Sequence, residues 1–251
     1  MDRPADVDDP PGADAGPFYQ PIGDFQGAGY RRNAFAAGTA EEIAALVRRL
    51  GLRPGDRLLD VGCGDGRHLR ALAGRGIGGF GIDISHGLLT AARDASGDGA
   101  ATPRWVRADA RRLPVARAAF DAATSLCQGG FGTNPATDPD VLAGMVRAVR
   151  PGGRVAFTAF HALFAARHLV EGDAYDPVHG VHHHIADVVG PDGEVRRYPL
   201  WTSTYTVREA VSLARAVGLE IVSVSGCEPG RYAGDAVGLD DPELLLVCVR
   251  P

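Results

Sequence analysis

Three carboxylates and one glycine-rich turn hold the chemical promise of this chain. Asp60 stands near the end of a short apolar run, Leu58-Leu59-Asp60-Val61, and Gly62, Gly64 and Gly66 follow it at alternate positions. From Arg67 the sequence reads Arg-His-Leu-Arg-Ala-Leu, the opening of a helix. Glycines at a strand-to-helix turn let backbone approach a ligand where a Cβ would collide, and the first N–H groups of the helix are free to bind its polar parts. Asp83 lies about 20 residues further on, near the end of a second apolar run, where one carboxylate can accept two hydroxyl hydrogen bonds at once. Asp109 closes a third run. A second set of candidates is histidine: His161 after a long apolar run, and His179, His182, His183 and His184 close together. Histidine is the side chain suited to taking a proton near neutral pH.

The elements that must position these groups alternate. Strands are expected at 57–61, 79–84, 104–108, 120–126 and 154–160, with helices between most of them, the pattern of a parallel, doubly wound sheet. Ahead of the first strand, Thr39 and Glu42 have capping-box spacing and Ile43, Leu46, Val47 and Leu50 recur at helical intervals. Ser85 is placed to cap the helix after the second strand. Asp138 is expected to cap a later one, with Pro139 at its first position. Beyond position 160 the pattern loosens into a helix over 161–170, a polar stretch to 180 and a hairpin turning at Pro191-Asp192-Gly193. Thr206 and Glu209 form a second capping box, opening a helix that Gly218 stops. Strands at 220–225 and 243–249 end the chain.

Composition sets bounds. At 251 residues and 45% hydrophobic, the chain fits one α/β domain with an insertion. A net charge of −5 argues against a dedicated nucleic-acid binder. No apolar run approaches the roughly 18 residues of a membrane helix. Residues 1–17, rich in Asp, Pro and Gly, are expected to be disordered and show no secretory signal. The four cysteines form no C-x-x-C pair. A cytoplasmic chain with reduced thiols is the expectation.

The turn reads D-x-G-x-G-x-G, whereas the dinucleotide fingerprint G-x-G-x-x-G asks for glycine where Arg67 stands. It resembles motif I of the class I methyltransferases that use S-adenosylmethionine (SAM). Gly81-Ile82-Asp83-Ile84-Ser85 resembles the acidic end of their second strand. Arg107-Ala108-Asp109-Ala110 is similar to their third-strand motif, and Arg147 to Gly153 to the turn into their fifth strand. The resemblance covers positions 58–160. It implies a Rossmann-like sheet of seven strands, the last antiparallel, with an insertion or lid after the fifth. It implies SAM as cofactor and S-adenosylhomocysteine (SAH) as product.

By that resemblance the cofactor falls to Asp60 and the turn Gly62-Cys63-Gly64, to Asp83 for the ribose, to Ile84, Asp109 and Ala110 for the adenine, and to Leu126 and Gln128 after the fourth strand. Tyr30 and Arg31, in the segment leading into the first long helix, are further cofactor candidates. The acceptor side is assigned to Tyr19, Phe131, His161, Tyr175, His182 and His184. His161, His182 and His184 are the candidate bases, and no metal is expected. One domain is anticipated over 18–251, divided into an N-terminal lid and helix (18–50), a cofactor core (57–160), a substrate-side insertion (161–205) and a C-terminal helix with two strands (206–251). The acceptor is expected to be a small molecule, since the fourth-strand loop, Ser125 to Gly132, lacks the D/N-P-P-Y/W signature of base and glutamine methylation. Two other readings stay open at this point: a SAM-binding protein without methyl transfer, and a nicotinamide-dependent oxidoreductase.

Overall fold

Strand β1 (Arg57–Val61) runs through the middle of a parallel sheet, with four of its five residues buried, as a strand covered on both faces requires. β2 (Gly78–Asp83) and β4 (Phe120–Ser125) flank it, with β3 (Arg104–Arg107) outside β2 and β5 (Val149–His161) outside β4, all parallel. On the far side of β5 lie β10 (Glu243–Val249) and then β9 (Glu220–Cys227), both joined antiparallel. The order β3-β2-β1-β4-β5-β10-β9 is the doubly wound α/β arrangement. The computed structural model describes residues 18–33, 38–97, 99, 101–232, 234 and 236–251. The tail at 1–17 and residues 34–37 of the expected N-terminal lid lie outside the described residues.

Adjacent residues of a strand fall into opposite core layers, as strand geometry dictates. Leu58, Leu245 and Val247 pack with Ile43, Leu46, Leu69 and Leu72 beneath helices α2 (Thr39–Leu50) and α3 (Arg67–Ala73). Leu59, Leu244 and Leu246 pack on the other face with Val141, Leu142 and Met145 of α5 (Asp138–Ala148) and Ala210 and Ala214 of α7 (Val207–Ala216). Ser85 caps α4 (His86–Asp94), accepting from the Leu88 N–H, and Thr206 with Glu209 closes a full capping box on α7.

Two expected caps take other roles. Gly38 is the N-cap of α2, and its backbone lies so close to Gly230 that a Cβ there would fall 1.9 Å from the Gly230 Cα. Glu42 therefore turns inward rather than back onto its own helix. Asp138 is the first residue of α5 rather than its cap. Its carboxylate is fully buried and accepts from the Gly132 N–H at 3.0 Å and the Tyr205 hydroxyl at 2.6 Å.

The insertion continues the sheet. After a short α6 (Ala162–Arg167), which ends three residues before the expected helix does, come β6 (Ala174–Asp176), β7 (Val181–Val189) and β8 (Val195–Tyr205), joined as antiparallel neighbours. Pairing of β4 with β5 stops at Ser125↔Phe157, so the end of β5 projects beyond its neighbour. β8 takes the vacant edge, parallel, at Phe160↔Thr204 and His161↔Tyr205. Among the described residues ten strands are thus hydrogen-bonded together. The tip of this hairpin reaches the N-terminal segment, α1 (Tyr19–Gln26) and a 3-10 turn (Gly27–Arg32): Phe25 packs on Tyr198 at 5.9 Å between centroids, and the Arg196 guanidinium lies 4.3 Å over the Phe25 ring. Among the described residues no helix is long and apolar enough to cross a membrane.

Candidate active site

The carboxyl ends of β1, β2 and β4 open into one cavity, roofed by α1, the 3-10 turn and the loop after β4. The glycine turn forms its floor. Gly62 has φ +74° and sits against the β4 loop, where a Cβ would fall 0.8 Å from the Gly129 carbonyl oxygen, so only glycine fits. Over Gly64 stands the Tyr30 ring, 3.5 Å from where a Cβ would be. Two consecutive non-glycine residues of the β4 loop, Cys127 and Gln128, hold left-handed backbone, with φ +51° and +59°. Such conformations persist only where the surroundings enforce them. Here Cys127 N–H donates to Thr158 Oγ1 at 2.8 Å and its Sγ lies 2.9 Å from the Tyr232 hydroxyl. Gln128 Nε2 donates toward the Trp201 carbonyl at 2.9 Å, Thr202 Oγ1 at 3.0 Å and the Gly132 carbonyl at 3.3 Å.

Asp83 lies at the centre. Its Oδ2 accepts from the Gly64 N–H and its Oδ1 from the Ser85 N–H, each at 2.8 Å, tying the ends of β1 and β2 together and leaving acceptor capacity on both oxygens. Burial pushes its carboxyl up to about 6, against the lowering effect of those two N–H groups. Asp109 also lines the cavity, but Arg111 holds both its oxygens and it caps the short turn Ala110–Arg112. Burial, with smaller effects from Asp83 and Cys127, pushes the Tyr19 hydroxyl up to about 12, and burial likewise raises Tyr30 and Cys127. The wall formed by Tyr19, Tyr30 and Cys127 is therefore neutral at physiological pH.

Beneath the turn, Asp60 is buried, with Oδ1 accepting from Thr124 at 2.7 Å and Oδ2 without a partner; burial raises its carboxyl. An orphaned carboxylate oxygen below the glycine turn and a two-oxygen acceptor at the end of β2 suit the amine and the ribose diol of SAM. Ile82, Ile84, Leu88, Ala108 and Ala110 add an apolar slot beside them. The residues present fit that cofactor.

Of the expected cofactor residues, Tyr30, Gly62, Gly64, Asp83, Ile84, Asp109, Ala110 and Gln128 line the cavity, as does Tyr19 from the acceptor set. Asp60 is buried beneath the turn and does not itself line the cavity, and the remainder are elsewhere. Arg31 bonds Asp65 at 2.9 Å, latching the 3-10 turn to the glycine turn from outside. The Cys63 thiol is buried against the position of a Gly81 Cβ, and Leu126 belongs to the layer under α2. Phe131 packs into the core between Phe157 and Tyr205.

The expected bases are not brought to the cavity. His161 is buried with Nδ1 3.1 Å from the Asp241 carbonyl, which accepts a hydrogen bond from it. His182 pairs with Asp173 at 3.0 Å and stacks on His184 at 5.2 Å. Tyr175 bonds Thr204. The long insertion thus spends these side chains on its own joints.

Sequence reasoning missed Phe18, Leu88, Thr133 and Thr137 on the cavity wall. It also missed a buried cluster behind it, in which Glu42 receives Arg67, His68 at 2.7 Å and the Gly230 N–H at 2.7 Å. Against its own burial, these His68 and Arg67 contacts hold the Glu42 carboxyl down to about 2. The available signal was a charged residue on the apolar stripe of α2, next to Ile43.

Residues 58–153 match the family described as a methyltransferase domain. The malonyl-[acyl-carrier protein] O-methyltransferase of Serratia marcescens is 34% identical over 158 residues, 59% of this chain and 57% of that protein. The demethylmenaquinone methyltransferase of Beutenbergia cavernae is 36% identical over 116 residues, 46% of this chain and 45% of that protein. The chain thus spans about half the length of the curated relatives it matches. The solved CcbJ methyltransferase of Streptomyces caelestis shares the fold at a TM-score of 0.72 and 18% identity, covering 91% of this chain and 98% of that one. By this match over residues 58–153 and by its strand order, the chain resembles the class I SAM-dependent methyltransferases.

Proposed function

We propose that the chain binds SAM in the cavity above β1, β2 and β4 and transfers its methyl group to a small-molecule acceptor, releasing SAH. The observation that carries this reading is Asp83, a buried carboxylate with acceptor capacity on both oxygens, facing a cavity floored by the glycine turn. In this reading Asp83 takes the ribose hydroxyls, Ile84, Leu88 and Ala110 hold the adenine, and Asp60 and the Gly62–Gly64 turn hold the amino-acid tail under Tyr30. Bound SAM supplies a methyl group on a positively charged sulfur, a good leaving group. The protein's part is to hold an acceptor in line with it and to keep water out, an effect worth up to roughly 7–11 kcal/mol. Phe18, Tyr19, Cys127, Gln128 and Thr133 form the acceptor wall. The insertion supports that wall from behind, with Trp201 against Phe18 at 5.3 Å. A cytoplasmic enzyme without a nucleic-acid partner completes the proposal.

Calorimetric titration tests it. SAH is expected to bind with one-to-one stoichiometry and NADH not at all. NADH binding, or no SAH binding, would overturn the reading.

A further inference from the structure

We propose that the acceptor is an uncharged molecule recognised through a hydrogen-bond donor, hydroxyl or N–H, that Gln128 Oε1 accepts. This rests on the cavity being the SAM site. The first observation is the orientation of one amide. Gln128 lines the cavity, and its Nε2 is directed at three oxygens of the Gly132–Thr202 junction, so exchanging the two ends of the amide would set Oε1 against two carbonyl oxygens. The amide can sit only one way. No described residue donates to Oε1. The backbone at Gln128 is held at φ +59°, a conformation that costs energy in any residue but glycine, and the clamp on Nε2 is what fixes the side chain there.

The second observation is charge. Among the described residues that line the cavity, the ionised side chains are Asp83, Asp109 and Arg111. Asp109 and Arg111 neutralise each other at 2.6 Å, and Asp83 is committed to the cofactor side. On the cavity wall that includes Gln128, Tyr19, Tyr30 and Cys127 are each kept neutral by burial. A charged acceptor would lose its water here with no side chain of opposite charge free to pair with it, which disfavours it. A neutral acceptor presenting a donor to Oε1 loses little. The rings of Phe18 and Tyr19, 6.1 Å apart edge to face, favour a flat apolar body for that acceptor.

Four small probes of one shape separate these terms: phenol (neutral donor), anisole (neutral, no donor), benzoate and benzylammonium. The full chain is first titrated with SAH; failure at that step counts against the cofactor reading, not this one. Probe affinities are then measured on the SAH-loaded protein by ligand-observed NMR. Phenol is expected to bind at least fivefold more tightly than the other three. Gln128→Asn keeps a residue that tolerates left-handed backbone but shortens the amide, and phenol should then fall to the level of anisole. Gln128→Met, of similar length but with no acceptor oxygen, should do the same. SAH saturation of both variants reports that they are folded. The inference is overturned if benzoate or benzylammonium matches phenol on the native chain, if no probe binds, or if Gln128→Asn keeps the preference for phenol. Loss of SAH binding in both variants would make Gln128 a structural clamp and overturn it as well.

Discussion

Gly62 and Gly129 meet backbone to backbone, so that the turn after β1 and the loop after β4 form one continuous floor. A Cβ on Gly62 would lie 0.8 Å from the Gly129 oxygen, and one on Gly129 would lie 2.5 Å from the Gly62 oxygen. Gly62→Ala must therefore push the two loops apart, besides placing alanine at φ +74°. We expect SAH affinity to drop more than tenfold and the melting temperature to fall. Gly193→Ala is the control: it has φ +85° but nothing within 4 Å of the added methyl, so it should cost only about 1–2 kcal/mol of backbone strain and leave SAH binding intact. Equal affinity in Gly62→Ala and the native chain would show that the floor is not shared.

Asp83 should make cofactor binding pH-dependent. Its carboxyl titrates at about 6 in the free protein. Ribose hydroxyls donate to the ionised form, so binding favours deprotonation and lowers that value. Affinity for SAH should therefore be constant above about pH 7 and weaken as pH falls through 6. Asp83→Asn is expected to weaken binding at least tenfold at pH 8, in line with about 1.5–3 kcal/mol for a hydrogen bond to a charged group, and to flatten the profile. Calorimetry across pH 5–8 reads both effects.

Much of this site was legible before any fold was known, because its residues sit at strand ends fixed by short-range signals. Asp83 follows an apolar run and precedes a capping serine, and both features survive in the structure. What could not be read were partnerships across long sequence distances. Glu42 has capping-box spacing with Thr39, but Arg67, His68 and Gly230 outcompete the cap because the helix start is pressed against Gly230. His161 was correctly placed at the end of β5, yet β8 and the Asp241 carbonyl cover that end. Spacing locates a residue along a strand; it says nothing about which later segment will cover it.

Glu243 gives the fold a pH dependence of defined sign. Burial pushes its carboxyl up to about 7 from an ordinary 4.5, and its Oε2 has no partner. A group whose folded value is raised contributes stability that is fully present below the unfolded value and is lost as pH rises through the folded one. The urea midpoint should therefore be higher at pH 5 than at pH 8. Glu243→Gln, neutral throughout, should narrow that difference. A native midpoint that rises with pH over this range would contradict the assignment.

The histidines of the insertion offer a test of opposite sense. His161, His182 and His184 bond Asp241, Asp173 and each other's rings, away from the cavity. Once an acceptor is known, replacing His182 or His184 by Ala should change kcat by less than about threefold, against the 10²–10⁴ typical of a general base. A hundredfold loss at either would place a proton-transfer role on the hairpin after all.

The N-terminal segment should tighten when the cavity fills. Asp24 accepts from Ser85 Oγ at 2.7 Å and from the Gly87 N–H at 3.0 Å, so α1 rests on the start of α4, while Phe25 rests on the hairpin tip. Apart from the buried Ile22, the segment's contacts with the rest of the fold are polar or peripheral. Phe18, Tyr19 and Tyr30 face the cavity, and a bound ligand would give those rings a surface to pack against. Segments with little apolar burial open locally at low cost, and a ligand that covers them raises that cost. Hydrogen exchange should therefore show slower exchange over 19–32 with saturating SAH, and a smaller gain over the hairpin strands, with the buried strand β1 unchanged. Arg31→Ala removes the 2.9 Å bond to Asp65 and should speed exchange over 27–32 in the free protein. If SAH leaves exchange over 19–32 unaltered, the segment is a fixed wall rather than a cover.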